Sequence, residues 1–456
     1  MKQYDALIIG FGKGGKTLAG ALGAAGRKVA VVERSEKMYG GTCINVGCIP
    51  SKSLVHSASL SAATGGSFAE KAARYRAAIE EKDRLTGMLR QKNYDKLNSH
   101  PNIDVIHGTA SFLDGSAVAV ETQGETREFR AEQIFINTGA RPFIPPIDGI
   151  RESAHVYLSE TMLDLKELPE QLVIIGGGYI GMEFASIYTN FGAKVTVVQD
   201  LPDFLPREDR EISQAVFQNL TSRGVEILLN AKVQSVQDGE GFTSVTVRTP
   251  AGERKLDAQA VLLAAGRRPN VEGLHPERAG VELTGRGAVR VDEKLRTANP
   301  NIWAMGDVTG SLQFTYISLD DFRIVKSQLL GADDRSTGNR GAVPYSVFLD
   351  PPFARVGLSE EEAREQGYEL KIARLPAAAI PKAQVLQKPA GLLKAVIDAK
   401  TGRILGAHLF CEEAHEMINI VKLAMDADLP YTVLRDGIYT HPTMSEALND
   451  LFAAVG

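Results

Sequence analysis

A glycine-rich turn between two apolar strands occurs twice in this chain, and that repetition constrains the fold more than any other feature. Near the N-terminus the run YDALII ends in Gly10-x-Gly12-x-x-Gly15, the small-residue stretch TLAGALGAAG follows, and a second run, KVAVVE, closes on Glu33. The pattern returns as QLVIIGGG, with Gly176-x-Gly178-x-x-Gly181, and then KVTVVQ closing on Gln199. Each copy reads as a strand–helix–strand unit of a parallel sheet. The first glycine permits the tight turn, the second lets backbone approach a pyrophosphate, and the third lets helix and strand pack closely. The helix start then presents free N–H groups and a positive dipole end to the phosphates. Glu33 stands where an acid accepts hydrogen bonds from a ribose diol. Gln199, at the same place in the second copy, is not an acid, but Asp200 follows it. Two intact copies imply two dinucleotides.

The 456 residues suffice for roughly three domains at about 150 residues each. Lys and Arg number 51 against 56 Asp and Glu, a net charge of −5 that offers no basic surface for nucleic acid or an anionic membrane. The most apolar stretch, LVIIGGGYIGMEFASIY, carries glycines and a glutamate and suits a buried strand and turn better than a membrane span. The first strand starts too early for a secretory signal. A cytoplasmic protein is therefore expected, with its three cysteines as free or catalytic thiols. Residues 69–100 read as a charged helix and 103–139 as strands. From about residue 341 the texture changes to that of an antiparallel sheet with helices.

The segment Gly40-Gly41-Thr42-Cys43-Ile44-Asn45-Val46-Gly47-Cys48-Ile49-Pro50-Ser51-Lys52 is the most informative chemically. A zinc site needs about four ligands, and only two cysteines lie here, with His56 the nearest histidine. Two structural thiols are an alternative, but the flanking glycines make a poor core. The third reading is a reversible disulfide. Five residues of regular helix rise about 7.5 Å, beyond the usual limit of about 7 Å between bridged α-carbons. A bridge therefore requires distorted backbone, which Gly47 permits.

GGTCINVGCIPSK resembles the redox-disulfide signature of the class I flavoprotein disulfide reductases, the family of glutathione reductase, lipoamide dehydrogenase and mercuric reductase. Four further motifs follow in the family's order. Gly10 to Gly15 resembles its FAD turn, Thr138-Gly139-Ala140 its strand-end motif, and Gly176 to Gly181 with Glu183 its NAD(P) turn. Thr297 followed by IWAMGDV resembles its second FAD motif, and His441-Pro442-Thr443-Met444-Ser445-Glu446 its C-terminal HPTxxE. FGKGGKTL, MYGGTCIN, LQFTYISLDDFRIV and HEMINIVK are similar to a bacterial branch concerned with reactive-chlorine resistance.

The resemblance implies an α/β fold with two Rossmann-like domains, for FAD and NAD(P), and a C-terminal α+β dimerisation domain. The expected bounds are 1–145 with 271–340 for FAD, 146–270 for NAD(P), and 341–456 for dimerisation. It implies that electrons pass from NADH or NADPH through FAD to the Cys43–Cys48 disulfide. Cys48 is then the thiol beside the flavin and Cys43 the exposed interchange thiol. His441 holds the proton and Glu446 orients its ring. Lys52 lies near the flavin and pairs with Glu183. Asp307, after Gly306, binds the ribityl chain, and the helix starting near Thr315 aims its N-terminus at the flavin. Thr42, Thr138, Gly139 and Gly266 complete the expected cofactor contacts. The His441–Pro442 bond is expected to be cis, and the active site is expected to be shared across a homodimer. Asp320 and Asp321 replace smaller residues of many relatives and are expected on an exposed helix face. Cys411 is expected to be a buried small residue.

The retained His441 suits proton transfer to thiols, whereas mercuric reductases usually carry tyrosine there. The chlorine-resistance resemblance implies an acceptor met in oxidant or metal stress, with soft ions such as copper(II) or mercury(II) taken by Cys43 and Cys48. No resident metal is expected. The alternatives are a lipoamide dehydrogenase or low-molecular-weight disulfide reductase, and a redox sensor with little turnover. NADH is expected over NADPH, because Gln199-Asp200-Leu201-Pro202-Asp203 offers carboxylates and no cation near a 2′-phosphate, although Arg207 is within reach.

Overall fold

The computed structural model describes residues 2–456, which fall into two compact units. The first comprises residues up to 53, 77–143 and 266–340. Its sheet runs in the order Ile103–His107, Val29–Glu33, Lys2–Ile9, Glu125–Ile136, Ala117–Thr122, Thr109–Phe112, and Ile302–Ala304 also pairs with Glu125–Ile136. The central pairings are parallel, and the hairpin at one edge is antiparallel. The N-terminal strand reads as a continuous apolar run because both its faces are covered. Leu7 and Ile9 pack with Phe112 and Val118 on one face, while Ala6 and Ile8 pack with Leu18 and Leu22 on the other.

The second unit comprises residues 54–76, 144–265 and 341–456. Its parallel sheet runs Glu226–Leu228, Lys194–Val198, Gln171–Ile175, Ala260–Leu263, Val156–Leu158, with Gln171–Ile175 at the centre. A three-stranded antiparallel sheet, Lys232–Asp238, Thr243–Thr249 and Gly252–Ala258, inserts between its last strands. The C-terminal part is an antiparallel sheet in the order Tyr345–Val347, Phe353–Gly357, Ile404–Phe410, Leu392–Asp398, Leu370–Pro376. Helices Ala414–Asp426 and Ala447–Ala453 cover it, burying Met417, Val421, Leu448 and Phe452. The architecture is thus α/β, with two doubly wound parallel sheets and a C-terminal α+β region. Among the described residues no helix is long and apolar enough to cross a membrane.

Candidate functional site

The two glycine turns are built alike, down to a single hydrogen bond. In the first, Gly10 has φ +103°, and a β-carbon there would collide with the Asn137 carbonyl. The Phe11 N–H donates to Glu33 Oε2 (3.0 Å). In the second, Gly176 has φ +113°, a β-carbon there would lie 2.5 Å from the Ala264 carbonyl oxygen, and the Gly177 N–H donates to Gln199 Oε1 (2.9 Å). Gly15 and Gly181 both press against the carbonyl of their own first glycine. The end-strand side chain therefore braces the turn in both copies, as a carboxylate in one and a neutral amide in the other. Glu33 also accepts the Ser35 N–H (3.1 Å). Burial pushes its carboxyl up, against the pull of those N–H groups.

The two copies differ at the middle glycine. A β-carbon at Gly12 would lie 2.6 Å from Asn137 Oδ1, whereas at Gly178 it would meet no atom within 4 Å. Asn137 is the residue that motif reading passed over. Its Oδ1 accepts the Gly15 N–H (2.9 Å) and its Nδ2 donates to the Met305 carbonyl (2.7 Å). It thereby ties the first glycine turn to the Gly306–Asp307 turn. The adjacent Thr138 hydroxyl is buried without a hydrogen-bond partner, a costly state unless a ligand supplies one. Gly139 and Gly266 have φ +72° and +104°, with open space at their β-carbon positions. Burial pushes the Asp307 carboxyl up, opposed by Arg267. An orphaned hydroxyl, two braced glycine turns and open space beside them fit the FAD and nicotinamide that the sequence resemblance implies.

The cysteine segment is not one continuous helix. A short helix, Thr42–Asn45, ends at Val46 (φ −141°, ψ 18°), and a second, Cys48–Thr64, begins after Gly47. A β-carbon at Gly47 would lie 2.9 Å from the Thr42 carbonyl oxygen, so this break requires glycine. Asn45 braces the approach, donating to the carbonyls of Tyr39 (3.0 Å) and Gly41 (2.9 Å) and accepting from Arg90 (2.8 Å). Cys43 is half-buried and Cys48 exposed, so the thiol expected to be the exposed one is the less accessible of the two in this structure. The hydrogen bond to Cys48, together with burial, pushes the Cys43 thiol up, which favours one shared thiolate over two. Cys48 Sγ lies 3.5 Å from Thr315 Oγ1, in the first turn of helix Thr315–Leu330. Lys16, also unmarked by the motif reading, donates to Asn93 (2.6 Å) and to the Gly40 carbonyl (3.3 Å). Burial pushes its amine down to about 8, with Lys13 adding to the fall and Cys43 opposing it.

Lys52 donates to Ser51 (3.3 Å), and Glu183 accepts the Phe348 N–H (2.9 Å). His441, in the second unit, has Nδ1 2.8 Å from Glu446 Oε2, and the other carboxylate oxygen accepts the Thr443 N–H (3.3 Å). A carboxylate only accepts, so Nδ1 carries the hydrogen and Nε2 is the ring's acid–base atom. The His441 side chain is 70% exposed, and the His441–Pro442 bond is cis.

A further expectation is corrected. Asp320 and Asp321 are not on an exposed helix face: they are 7% and 1% exposed. Arg340 pairs with both and Arg335 with Asp320. Arg323, on the same helix, reaches Asp320 only at 3.8 Å; the closer cations come from beyond the helix, so helix periodicity carried no sign of them. Cys411 is buried against Met417. Among the described residues no group of three His, Cys, Asp or Glu side chains is placed to hold a metal ion.

Residues 4–321 match the model of the pyridine nucleotide-disulphide oxidoreductase family, and 343–452 match that family's dimerisation domain. The chain is 51% identical over 455 residues to the probable pyridine nucleotide-disulfide oxidoreductase RclA of Escherichia coli K12, with each chain covered in full. It is 36% identical to a mercuric reductase of Staphylococcus aureus, over 98% of this chain and 81% of the relative. A solved structure described as the Cu(II) complex of the HOCl-induced flavoprotein disulfide reductase RclA from E. coli superposes with a TM-score of 0.95, at 51% identity and full coverage of both chains.

Proposed function

Because the chain belongs to the pyridine nucleotide-disulphide oxidoreductase family, and is therefore an oxidoreductase that uses FAD and NAD(P)H, we propose that it moves electrons from NADH to the Cys43–Cys48 pair and on to an oxidant or soft metal ion encountered under stress. The observation that carries this reading is the thiol pair, set across a glycine break, with Cys48 opening helix Cys48–Thr64 and its Sγ 3.5 Å from Thr315 Oγ1 at the start of helix Thr315–Leu330. FAD, when bound, supplies the two-electron relay between nicotinamide and the cysteines.

The chain's own residues do the rest. Gly10, Gly12, Gly15, Glu33, Thr42, Thr138, Gly139, Gly306 and Asp307 hold FAD, within a domain formed by 1–145 and 271–340, and Gly266, just outside those bounds, completes the cofactor contacts. Gly176, Gly178, Gly181 and Gln199 hold the nicotinamide cofactor within 146–270. Lys52 lies near the flavin, and Thr315 opens the helix that faces it. Cys48 serves the flavin side and Cys43 meets the acceptor. In the first half-reaction NADH, a proton and the disulfide give NAD+ and the dithiol. In the second, the dithiol and hypochlorous acid give disulfide, water, chloride and a proton. Two copper(II) ions as acceptor give disulfide, two copper(I) ions and two protons. Thiolates are soft ligands and suit such ions. The names of the relatives, an HOCl-induced RclA with a Cu(II) complex and a mercuric reductase, favour this class of acceptor.

His441, oriented by Glu446, holds the proton that a thiol leaving group needs. Region 341–456 forms a homodimer in which His441 of one protomer serves the cysteines of its partner. The exposure of His441, with Leu423, Val433 and Ile438 exposed on the same region, supports that arrangement. The protein acts in the cytoplasm. A second reading, a lipoamide or small-disulfide reductase, is favoured by the intact His441–Glu446 pair. The test is NADH oxidation with copper(II), mercury(II), hypochlorous acid, lipoamide and glutathione disulfide. Sustained turnover with the metal ions or the oxidant supports the proposal. Turnover with lipoamide alone supports the second reading. One equivalent of NADH consumed and no more, whatever the acceptor, indicates a sensor and contradicts both.

A further inference from the structure

We propose that Asp321, held by Arg340, is a positioning residue for the turn that carries Asp307. Asp321 sits on helix Thr315–Leu330, and its Oδ2 accepts the Gly306 N–H at 2.7 Å. Gly306 has φ +75°, and a β-carbon there would lie 2.8 Å from Ser318 Oγ and 3.2 Å from Asn137 Nδ2. The turn Gly306–Thr309 is thus wedged between that helix and Asn137. Ser318 and Asn137 also take the Gly14 and Gly15 N–H groups of the first glycine turn (3.1 and 2.9 Å). Two turns far apart in sequence therefore share their anchors, and Asp321 is the anchor on the backbone N–H immediately before Asp307.

A neutral amide would accept that N–H equally well. The carboxylate adds a second grip. Its Oδ1 pairs with Arg340, whose Nε also donates to Asp320 Oδ2 (2.7 Å), while Arg335 donates to Asp320 Oδ1 (2.7 Å). Burial pushes the Asp321 carboxyl up; the Gly306 N–H and then Arg340 oppose that push. Adjacent buried carboxylates need such a cation. Arg335 and Arg340 lie in the segment 331–340 that follows the helix, so the ion pairs strap that segment down behind the Asp307 turn. Without the strap the turn relaxes in the apoprotein and has to be reordered when flavin binds.

The inference rests on the reading of Asp307 as a flavin ligand. Its test is FAD affinity of the apoprotein, measured by fluorescence quenching on reconstitution, together with the visible circular dichroism of the bound flavin. Asp321→Leu leaves a buried N–H unsatisfied and is expected to raise the FAD Kd about 10- to 100-fold. Asp321→Asn keeps an acceptor and is expected to restore the Kd to within about threefold of the parent. Arg340→Gln, which keeps donors but removes the charge, gives a second variant should Asp321→Leu fail to fold, with an expected rise of about three- to tenfold. An unchanged Kd and unchanged flavin dichroism in folded Asp321→Leu, or in Arg340→Gln if the first does not fold, overturns the proposal. Asp307→Ala is measured alongside. Unchanged FAD affinity there overturns the assignment of the turn itself, a failure distinct from that of Asp321.

Discussion

Gly178→Ser separates the folding role of the second glycine turn from its binding role. Gly178 caps helix Tyr179–Phe191 with φ −79° and ψ −178°, a conformation open to any residue. No atom lies within 4 Å of where its β-carbon would stand. Serine is at least as good a cap as glycine, by a few tenths of a kcal/mol, so the melting temperature should hold or rise slightly. The added atoms enter the space where a pyrophosphate would pack against backbone. Overfilling a close-packed contact costs about 1–3 kcal/mol, which weakens NADH binding by about 5- to 150-fold. The assay is rapid-mixing reduction of the enzyme by NADH, which yields a Kd and a limiting rate. The Kd should rise while the limiting rate changes much less, because the loss is one of uniform binding. Gly181→Ser, whose β-carbon would collide with the Gly176 carbonyl, should instead lower stability and binding together. An unchanged NADH Kd in folded Gly178→Ser would mean that no pyrophosphate packs against this turn, and a stability loss as large as that of Gly181→Ser would mean that Gly178 serves folding rather than binding.

Comparing kcat/KM for the two nicotinamides should favour NADH; a clear preference for NADPH would show that Arg207 or another cation reaches the 2′-phosphate. Mixing Cys43→Ser and His441→Ala protomers under subunit exchange should restore disulfide-dependent activity that neither variant shows alone, and no recovery in proven heterodimers would place the whole site within one chain. Lys394 is 2% exposed and lies 2.8 Å from Asp209 and from Glu360. Lys394→Met strands the buried Asp209 carboxylate and should cost about 3–5 kcal/mol, read as a lower melting temperature at pH 7. Burial pushes the Asp209 carboxyl up, but hydrogen bonding and charge from Lys394, together with His408 and the Glu360 N–H, outweigh it and hold the carboxyl below its usual range. That contribution to stability is present at neutral pH and is lost as pH falls through the folded-state pKa, so the gap between parent and variant should narrow in acid.

What was legible in the sequence was local. Each glycine turn, the break at Gly47, and the spacing of His441 and Glu446 are encoded within a few residues, and the structure presents each as a connected piece of backbone. What was not legible depends on residues brought together from far apart. Asn137 looks like an ordinary strand end until the fold sets it between Gly15 and Met305. Asp320 and Asp321 carry the charge of a solvated face, and only the return of Arg335 and Arg340 makes their burial tolerable. Lys394 interrupts the apolar strand LLKAVID for the same reason, since its partners Asp209, Glu211 and Glu360 come from other elements. Lys16 was visible as part of FGKGGKTL, but its approach to the Gly40 carbonyl was not.

In the proposed mechanism Cys43 and Cys48 form one redox centre with the flavin, Cys48 on the flavin side. The direct measurement is the visible spectrum during anaerobic two-electron reduction of the purified holoenzyme. A long-wavelength thiolate-to-flavin charge-transfer band should grow in the parent, persist in Cys43→Ser, and be absent in Cys48→Ser. A band unchanged in Cys48→Ser, or a parent enzyme whose flavin is simply bleached with no such band, would show that Cys48 is not the thiolate beside the flavin.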